Sequence, residues 1–106
     1  MSNTQPHKKE AGLDSEAGLQ VLRRRIDSLD TIMMHALAER MQTVREVGAL
    51  KKRNSIPPLQ PERWQEVLQH KKELGHELEL DAELVVDIYE RIHNAALKIE
   101  ESTERE

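Results

Sequence analysis

Apolar residues recur every three or four positions along the first half of the chain and predict one long helix. Prolines stand only at positions 6, 57, 58 and 61, so none interrupts the stretch from Ser15 to Arg53. At 100° per residue, its apolar side chains lie within about 60° of one line. That stripe consists of Leu19, Leu22, Ile26, Leu29, Met33, Ala36, Leu37, Val44 and Val47. The predicted helix, Ser15 to Arg53, is about 58 Å long.

Two shorter helices are predicted after a proline-containing loop at 56–60. Pro61 suits the first position of a second helix, which we expect to end near Leu78. Asp81 is a favourable N-cap for a third helix, and Glu83 complements the helix dipole in its first turn. The apolar face of this third helix contains Val85, Ile88, Tyr89, Ile92, Ala95, Ala96 and Ile99. We therefore predict an all-α fold, with a disordered segment at 1–14, a helical domain at 15–103 and a frayed tail at 104–106.

The length of the first helix favours a dimer. A compact domain of this size is only about 34 Å across, so the long helix extends beyond its own domain. Two short helices cannot cover its apolar stripe at both ends, and an exposed stripe invites association. We predict that two chains lay their long helices together in an intertwined homodimeric bundle. The alternative is a monomeric three-helix bundle, which requires a break near Gly48.

Composition excludes several classes of function. The 106 residues include no cysteine, which excludes disulfides and thiolate chemistry and fits a reducing, cytoplasmic location. The first 16 residues contain no apolar core of a signal peptide, and no apolar run approaches the length of a membrane span. A net charge of −4 with two aromatic residues argues against nucleic-acid binding. The five histidines have no metal-ligand spacing, so we expect no metal and no cofactor.

Two basic residues interrupt the apolar stripe of the first helix. Arg40 and Lys51 lie about 20° apart around the helix and about 16 Å apart along it. Neither has a carboxylate three or four residues away. Such side chains can extend from the edge of a core to solvent, or pair with a carboxylate of another helix. Alternatively they bind an anionic ligand, because burying an unpaired charge is costly.

Three further charged residues are weaker candidates when read alone. Arg23 lies about 100° from the stripe and has Asp27 four residues on, so a solvated ion pair is its default interpretation. Arg63 has Glu66 at helical spacing and could equally belong to the surface. Glu100 stands near the end of the third helix, without a basic residue three or four positions away.

Four short segments carry motifs that occur together in one known family. They are Leu22–Asp30 (LRRRIDSLD), Ala38–Arg40 with Val47, Gly48 and Lys51, Gln60–Arg63 (QPER), and Leu80–Ala82 (LDA). In order and spacing these segments resemble the LRxxIDxLD, AER, VG, K and DPxR motifs and the third-helix start of the all-helical chorismate mutase family. The resemblance covers residues 19–102, and four motifs in register make it specific.

The resemblance implies a dimer of three-helix chains with two active sites that convert chorismate to prephenate without a cofactor. It also implies roles for individual residues. The arginines that match Arg40 and Arg63, with the one matching Arg23 from the partner chain, bind the carboxylates of the substrate. The lysine matching Lys51 reaches a carboxylate and the ether oxygen, which the residue matching Glu100 contacts from the other side.

This chain departs from the family pattern at four positions. Gln60 and Trp64 replace an aspartate and a glutamate associated with the hydroxyl of the substrate, and Ala96 replaces a small hydroxyl residue. Glu100 replaces a frequent glutamine, and a carboxyl group must carry a proton to donate a hydrogen bond. Activity should therefore decline as the pH rises. The alternatives are an isochorismate-pyruvate lyase on the same scaffold and a non-catalytic helical dimer that regulates an enzyme of aromatic biosynthesis.

Overall fold

A computed structural model describes residues 15–105 of the chain, and every regular element in that range is an α-helix. The helices are α1 (Ser15–Arg53), α2 (Pro61–Glu77) and α3 (Ala82–Arg105). They confirm the all-α fold class with one long N-terminal helix. The predicted disorder of residues 1–14 lies outside the described residues.

The chain forms two compact units, and the apolar stripe of α1 differs between them. In the first unit, Met1–Glu39, the large apolar side chains of the described residues are exposed, from 37 % at Leu37 to 65 % at Met34. In the second unit, Arg40–Glu106, Val44 is buried. Helix α1 continues through Gly48, without the break that a monomeric bundle requires. The intertwined dimer stays a prediction.

Two residues after its last position, each of the helices α1 and α2 is followed by a left-handed residue that is not glycine. Ser55 has a φ of 57° and Glu79 a φ of 61°. After α1 the backbone N–H of Ile56 donates to the carbonyl of Lys51, at 2.8 Å. The N–H of Leu80 donates to Gly75 in the same way after α2, at 2.9 Å. These bonds satisfy carbonyls that the helix ends would otherwise leave unpaired.

Helix α3 begins at the predicted cap and continues further than expected. The Oδ2 atom of Asp81 accepts a hydrogen bond from the backbone N–H of Leu84, at 2.9 Å, which confirms the N-cap. At the other end α3 reaches Arg105, although we expected residues 104–106 to fray. No proline or glycine stands between Ala82 and Arg105 to end the helix earlier. The domain limits remain a prediction.

Helices α2 and α3 approach each other closely at Gly75. A Cβ atom at this buried glycine would lie 2.8 Å from the Cγ2 atom of Val85, which is also buried. Gly75→Ala is therefore expected to lower the free energy of unfolding by about 1–3 kcal/mol, because an overpacked contact must shift. Denaturant titration followed by circular dichroism measures this difference.

The matched control for Gly75→Ala is the same substitution in a Val85→Ala background. Without Cγ2 the added methyl group has room, and alanine then stabilises a helix interior by about 1 kcal/mol over glycine. The sign of the effect should therefore reverse. Equal destabilisation in both backgrounds would contradict a contact between these two side chains.

Candidate active site

A cavity of about 370 Å³ lies in the second unit, among α1, the loop at 54–60, α2 and α3. Its lining residues recur at helical spacing, so each helix presents one face to it. Helix α1 contributes Arg40, Val44, Val47 and Lys51. The loop contributes Pro58 and Gln60, α2 contributes Arg63, Trp64 and Val67, and α3 contributes His93, Ala96 and Glu100. Four of the five predicted site residues thus line one cavity.

The ammonium group of Lys51 is held from two sides. Its Nζ atom donates to Oε1 of Glu100 and to the backbone carbonyl of Pro58, both at 2.7 Å. The Lys51 and Glu100 side chains are 19 % and 11 % exposed, so this ion pair is shielded from water. A lysine carries three N–H donors. Two are occupied, and the third remains for a ligand.

The two cations of the apolar stripe have different surroundings. Lys51 pairs with a carboxylate of another helix, one of the alternatives that the sequence left open. Arg40 is exposed at the cavity, and its side chain makes no hydrogen bond or ion pair within residues 15–105. Its guanidinium group is therefore available to an anion.

Arg63 also borders the cavity with most of its donors unused. Its Nη1 atom contacts Oε1 of Glu66 at 3.2 Å, and the two side chains are 67 % and 63 % exposed. An exposed ion pair of this kind contributes little to stability. Arginine has five N–H donors, so the contact leaves Arg63 able to bind a carboxylate.

Arg23 belongs to the first unit and is not among the residues that line the cavity. The ion pair with Asp27 that its spacing suggested is not formed in the described part of the chain. The backbone carbonyl of Asp27 accepts a hydrogen bond from the Thr31 hydroxyl at 3.1 Å. The Arg23 side chain is exposed to solvent.

The sequence interpretation missed His93. The rings of Trp64 and His93 stack with their centroids 4.0 Å apart and an angle of 14° between their planes. Both residues line the cavity and are partly buried. The spacing of His93, Ala96 and Glu100 at i, i+3 and i+7 could have placed them on one face of α3. A search for metal-ligand spacing among the histidines does not reveal this pattern.

Between residues 15 and 105 no group of histidine and acidic side chains could hold a metal ion. None of the three described helices is long and apolar enough to cross a membrane.

The fold and the cavity define a class: a helical protein with a cation-lined pocket sized for a small anion. Residues 22–101 match the family model described as chorismate mutase type II, and the chain belongs to that family. It is 34 % identical over 76 residues to a T-protein of Enterobacter agglomerans, covering 72 % of this chain and 20 % of the relative. It is also 33 % identical over 73 residues to a T-protein of Haemophilus influenzae, covering 69 % and 19 %. The chain thus spans about a fifth of the length of these relatives.

Proposed function

We propose that this chain catalyses the rearrangement of chorismate to prephenate, in the cytoplasm, as a step of aromatic amino acid biosynthesis. Membership of the chorismate mutase type II family supports the reaction. The observation that carries the proposal is the shielded Lys51–Glu100 pair in a cavity that Arg40 and Arg63 also line. This arrangement suits a small dianion with a reacting oxygen.

The reaction requires placed charge rather than a nucleophile. In chorismate an ether C–O bond breaks while a C–C bond forms within the same molecule, so no atom leaves and no proton needs to move. Binding the two carboxylates holds the flexible substrate in the compact shape that reacts. Negative charge grows on the ether oxygen as its bond breaks, and a positioned donor stabilises it.

The cavity residues fit these two tasks. Arg40 and Arg63 each offer a planar guanidinium group, which can bind a carboxylate through two parallel hydrogen bonds. Lys51 uses its third N–H on the ether oxygen and its charge on the neighbouring carboxylate. The bonds to Glu100 and Pro58 fix the ammonium group before the substrate arrives. A donor fixed in advance needs little reorganisation during the reaction.

Glu100 supplies the second donor to the ether oxygen in its protonated form. In the free site it is ion-paired with Lys51. An ionised carboxylate cannot donate, and its charge would oppose the charge that grows on the ether oxygen. The proposed role therefore requires a neutral hydrogen-bond donor at position 100.

Glu100→Gln should keep the wild-type kcat or exceed it. The amide of the variant can donate to the ether oxygen and carries no negative charge, whereas an ionised carboxylate cannot donate. Initial rates of chorismate consumption at saturating substrate measure kcat for both proteins.

Glu101→Gln is the matched control, since Glu101 is exposed, adjacent in sequence and absent from the cavity lining. Its kcat should equal that of the wild type. A Glu100→Gln variant that loses most of its kcat would contradict the role of a neutral donor at position 100.

The proposal includes a homodimer in which Arg23 of one chain completes the cavity of the other. The exposed apolar side chains of the first unit support it. Ile26, Leu29 and Met33 are 56 %, 52 % and 63 % exposed in the single chain. A contiguous apolar surface of this kind on a small chain marks an interface.

Supplying chorismate and isochorismate separately to the purified protein decides among the possible activities. Prephenate from chorismate supports the proposal. Salicylate and pyruvate from isochorismate would identify a lyase. No turnover of either substrate would favour a non-catalytic helical dimer.

A further inference from the structure

We propose that His93 binds the ring hydroxyl of the substrate and that Trp64 positions His93 by stacking on it. This inference rests on the proposed function, since it concerns the same cavity and takes chorismate as its ligand. Chorismate carries one neutral polar group, a secondary hydroxyl on its ring, besides its two carboxylates and the ether oxygen. The cavity must offer that hydroxyl a hydrogen-bond partner or leave it unpaired.

An inventory of the polar groups in the cavity narrows the choice. The cations Arg40, Lys51 and Arg63 suit the carboxylates and the ether oxygen. Glu100 and the carbonyl of Pro58 already accept hydrogen bonds from Lys51. The neutral polar side chains that remain in the lining are Gln60, Trp64 and His93.

Among these three, His93 fits a hydroxyl best. A hydroxyl both donates and accepts, as a neutral imidazole does, whereas the indole of Trp64 only donates. Neither ring has a hydrogen-bond partner for its nitrogens within residues 15–105, so both remain free for a ligand. Gln60 is exposed and its side chain makes no capping hydrogen bond to α2, so binding through it would require ordering an exposed amide.

The stack gives His93 a defined orientation. Trp64 comes from α2 and His93 from α3, so the two rings fix each other across a helix pair. With 14° between the planes, the imidazole cannot rotate freely without losing contact with the indole. A ligand that meets a ring held in this way loses less conformational entropy on binding.

The test compares chorismate with the analogue that has hydrogen in place of the ring hydroxyl. His93→Leu should lower kcat/KM about tenfold with chorismate, the effect of leaving one hydrogen bond unmade. With the analogue the same variant should be nearly as active as the wild type, because there is no hydroxyl to bind. His70→Leu, an exposed histidine of α2 outside the cavity, is the control and should affect neither substrate.

Two variants of Trp64 test the positioning role. Trp64→Phe keeps an aromatic ring against His93 and should preserve the preference of the wild type for the hydroxylated substrate. Trp64→Leu removes the stack, and most of that preference should disappear while His93 is still present. If Trp64→Phe lost the preference as completely as Trp64→Leu, the indole N–H would be the binding group, and the assignment to His93 would be wrong.

The remaining outcomes also decide the matter. Equal losses of kcat/KM on both substrates in His93→Leu would make His93 a structural residue, and no loss on either would exclude it. A Gln60→Leu variant that alone abolishes the preference would assign the hydroxyl to Gln60.

If the wild type turns over neither chorismate nor the analogue, the proposed function is wrong, but the role of His93 can still be tested by binding. Calorimetric binding of a stable bicyclic dicarboxylate, made with and without the hydroxyl, then tests His93, and absence of binding would overturn the inference.

Discussion

Lys51→Met is expected to lower kcat/KM for chorismate about 10³-fold. The substitution keeps the length of the side chain but removes the charge proposed to meet a carboxylate of the substrate and the donor proposed to meet its ether oxygen. Loss of one such donor alone typically costs 10²–10³-fold in kcat, or about 3–4 kcal/mol. Steady-state kinetics of chorismate consumption should show the loss in kcat as well as in kcat/KM, because the donor acts mainly in the transition state.

Two further variants separate the role of Lys51 in the reaction from its role in the structure. Lys52→Met changes the adjacent exposed lysine, which does not line the cavity, and should leave the kinetics unchanged. Lys51→Met also leaves the partly buried Glu100 without its partner, so Lys51→Met is repeated together with Glu100→Gln. If the double variant recovers most of the activity, the loss arose from the unpaired carboxylate, and the catalytic role of Lys51 would be refuted.

Mixing two inactive variants should restore activity if Arg23 acts across a dimer interface. With that arrangement, Arg23→Ala and Lys51→Met would each disable both sites of their own homodimer. In a mixed dimer one site contains both substitutions, while the other has the Lys51 of one chain and the Arg23 of its partner. Random pairing makes about half of all dimers mixed, so equal amounts should recover about a quarter of the wild-type activity. Rates are measured after joint refolding of the two variants.

Arg40→Ala mixed with Lys51→Met is the control for this experiment. Both residues line the same cavity of one chain, so every site of a mixed dimer would carry one of the two defects. No activity should return. Size-exclusion chromatography and mass spectrometry show whether mixed dimers form. If mixed dimers of Arg23→Ala and Lys51→Met formed but had no activity, Arg23 would act within its own chain or not at all.

The continuity of helix α1 and its end at Arg53 could be predicted because both depend on local properties. An uninterrupted apolar period and the absence of proline from Ser15 to Arg53 agree with the observed helix. The N-cap at Asp81 is local in the same sense. Helix α2 ends at Glu77, one residue before the predicted end near Leu78. The chain leaves the helix through Glu79, which is in a left-handed conformation. Glutamate gives no indication of such an end, whereas glycine would have done so.

The candidate site was predictable in composition but not in its contacts. Helical geometry places Arg40 and Lys51 on one face of α1. Because neither has a carboxylate three or four residues away, both are candidates for binding an anion. The contact between Lys51 and Glu100 joins residues 49 positions apart, and no helical spacing can indicate it. The stack of Trp64 on His93 likewise depends on how α2 and α3 pack. The roles of all five predicted site residues remain predictions.

The hydrogen bond from Lys51 to Pro58 makes the length of the connecting loop matter more than its side chains. The acceptor is a backbone carbonyl seven residues after the lysine, and every amino acid supplies one. Substitutions at the exposed positions 54, 56 and 57 should therefore be tolerated. Inserting or deleting a single residue there would move the carbonyl away from the ammonium group and free Lys51 to swing. The number of residues between Lys51 and Pro58 thus determines the geometry of the site, although none of the residues between them lines the cavity.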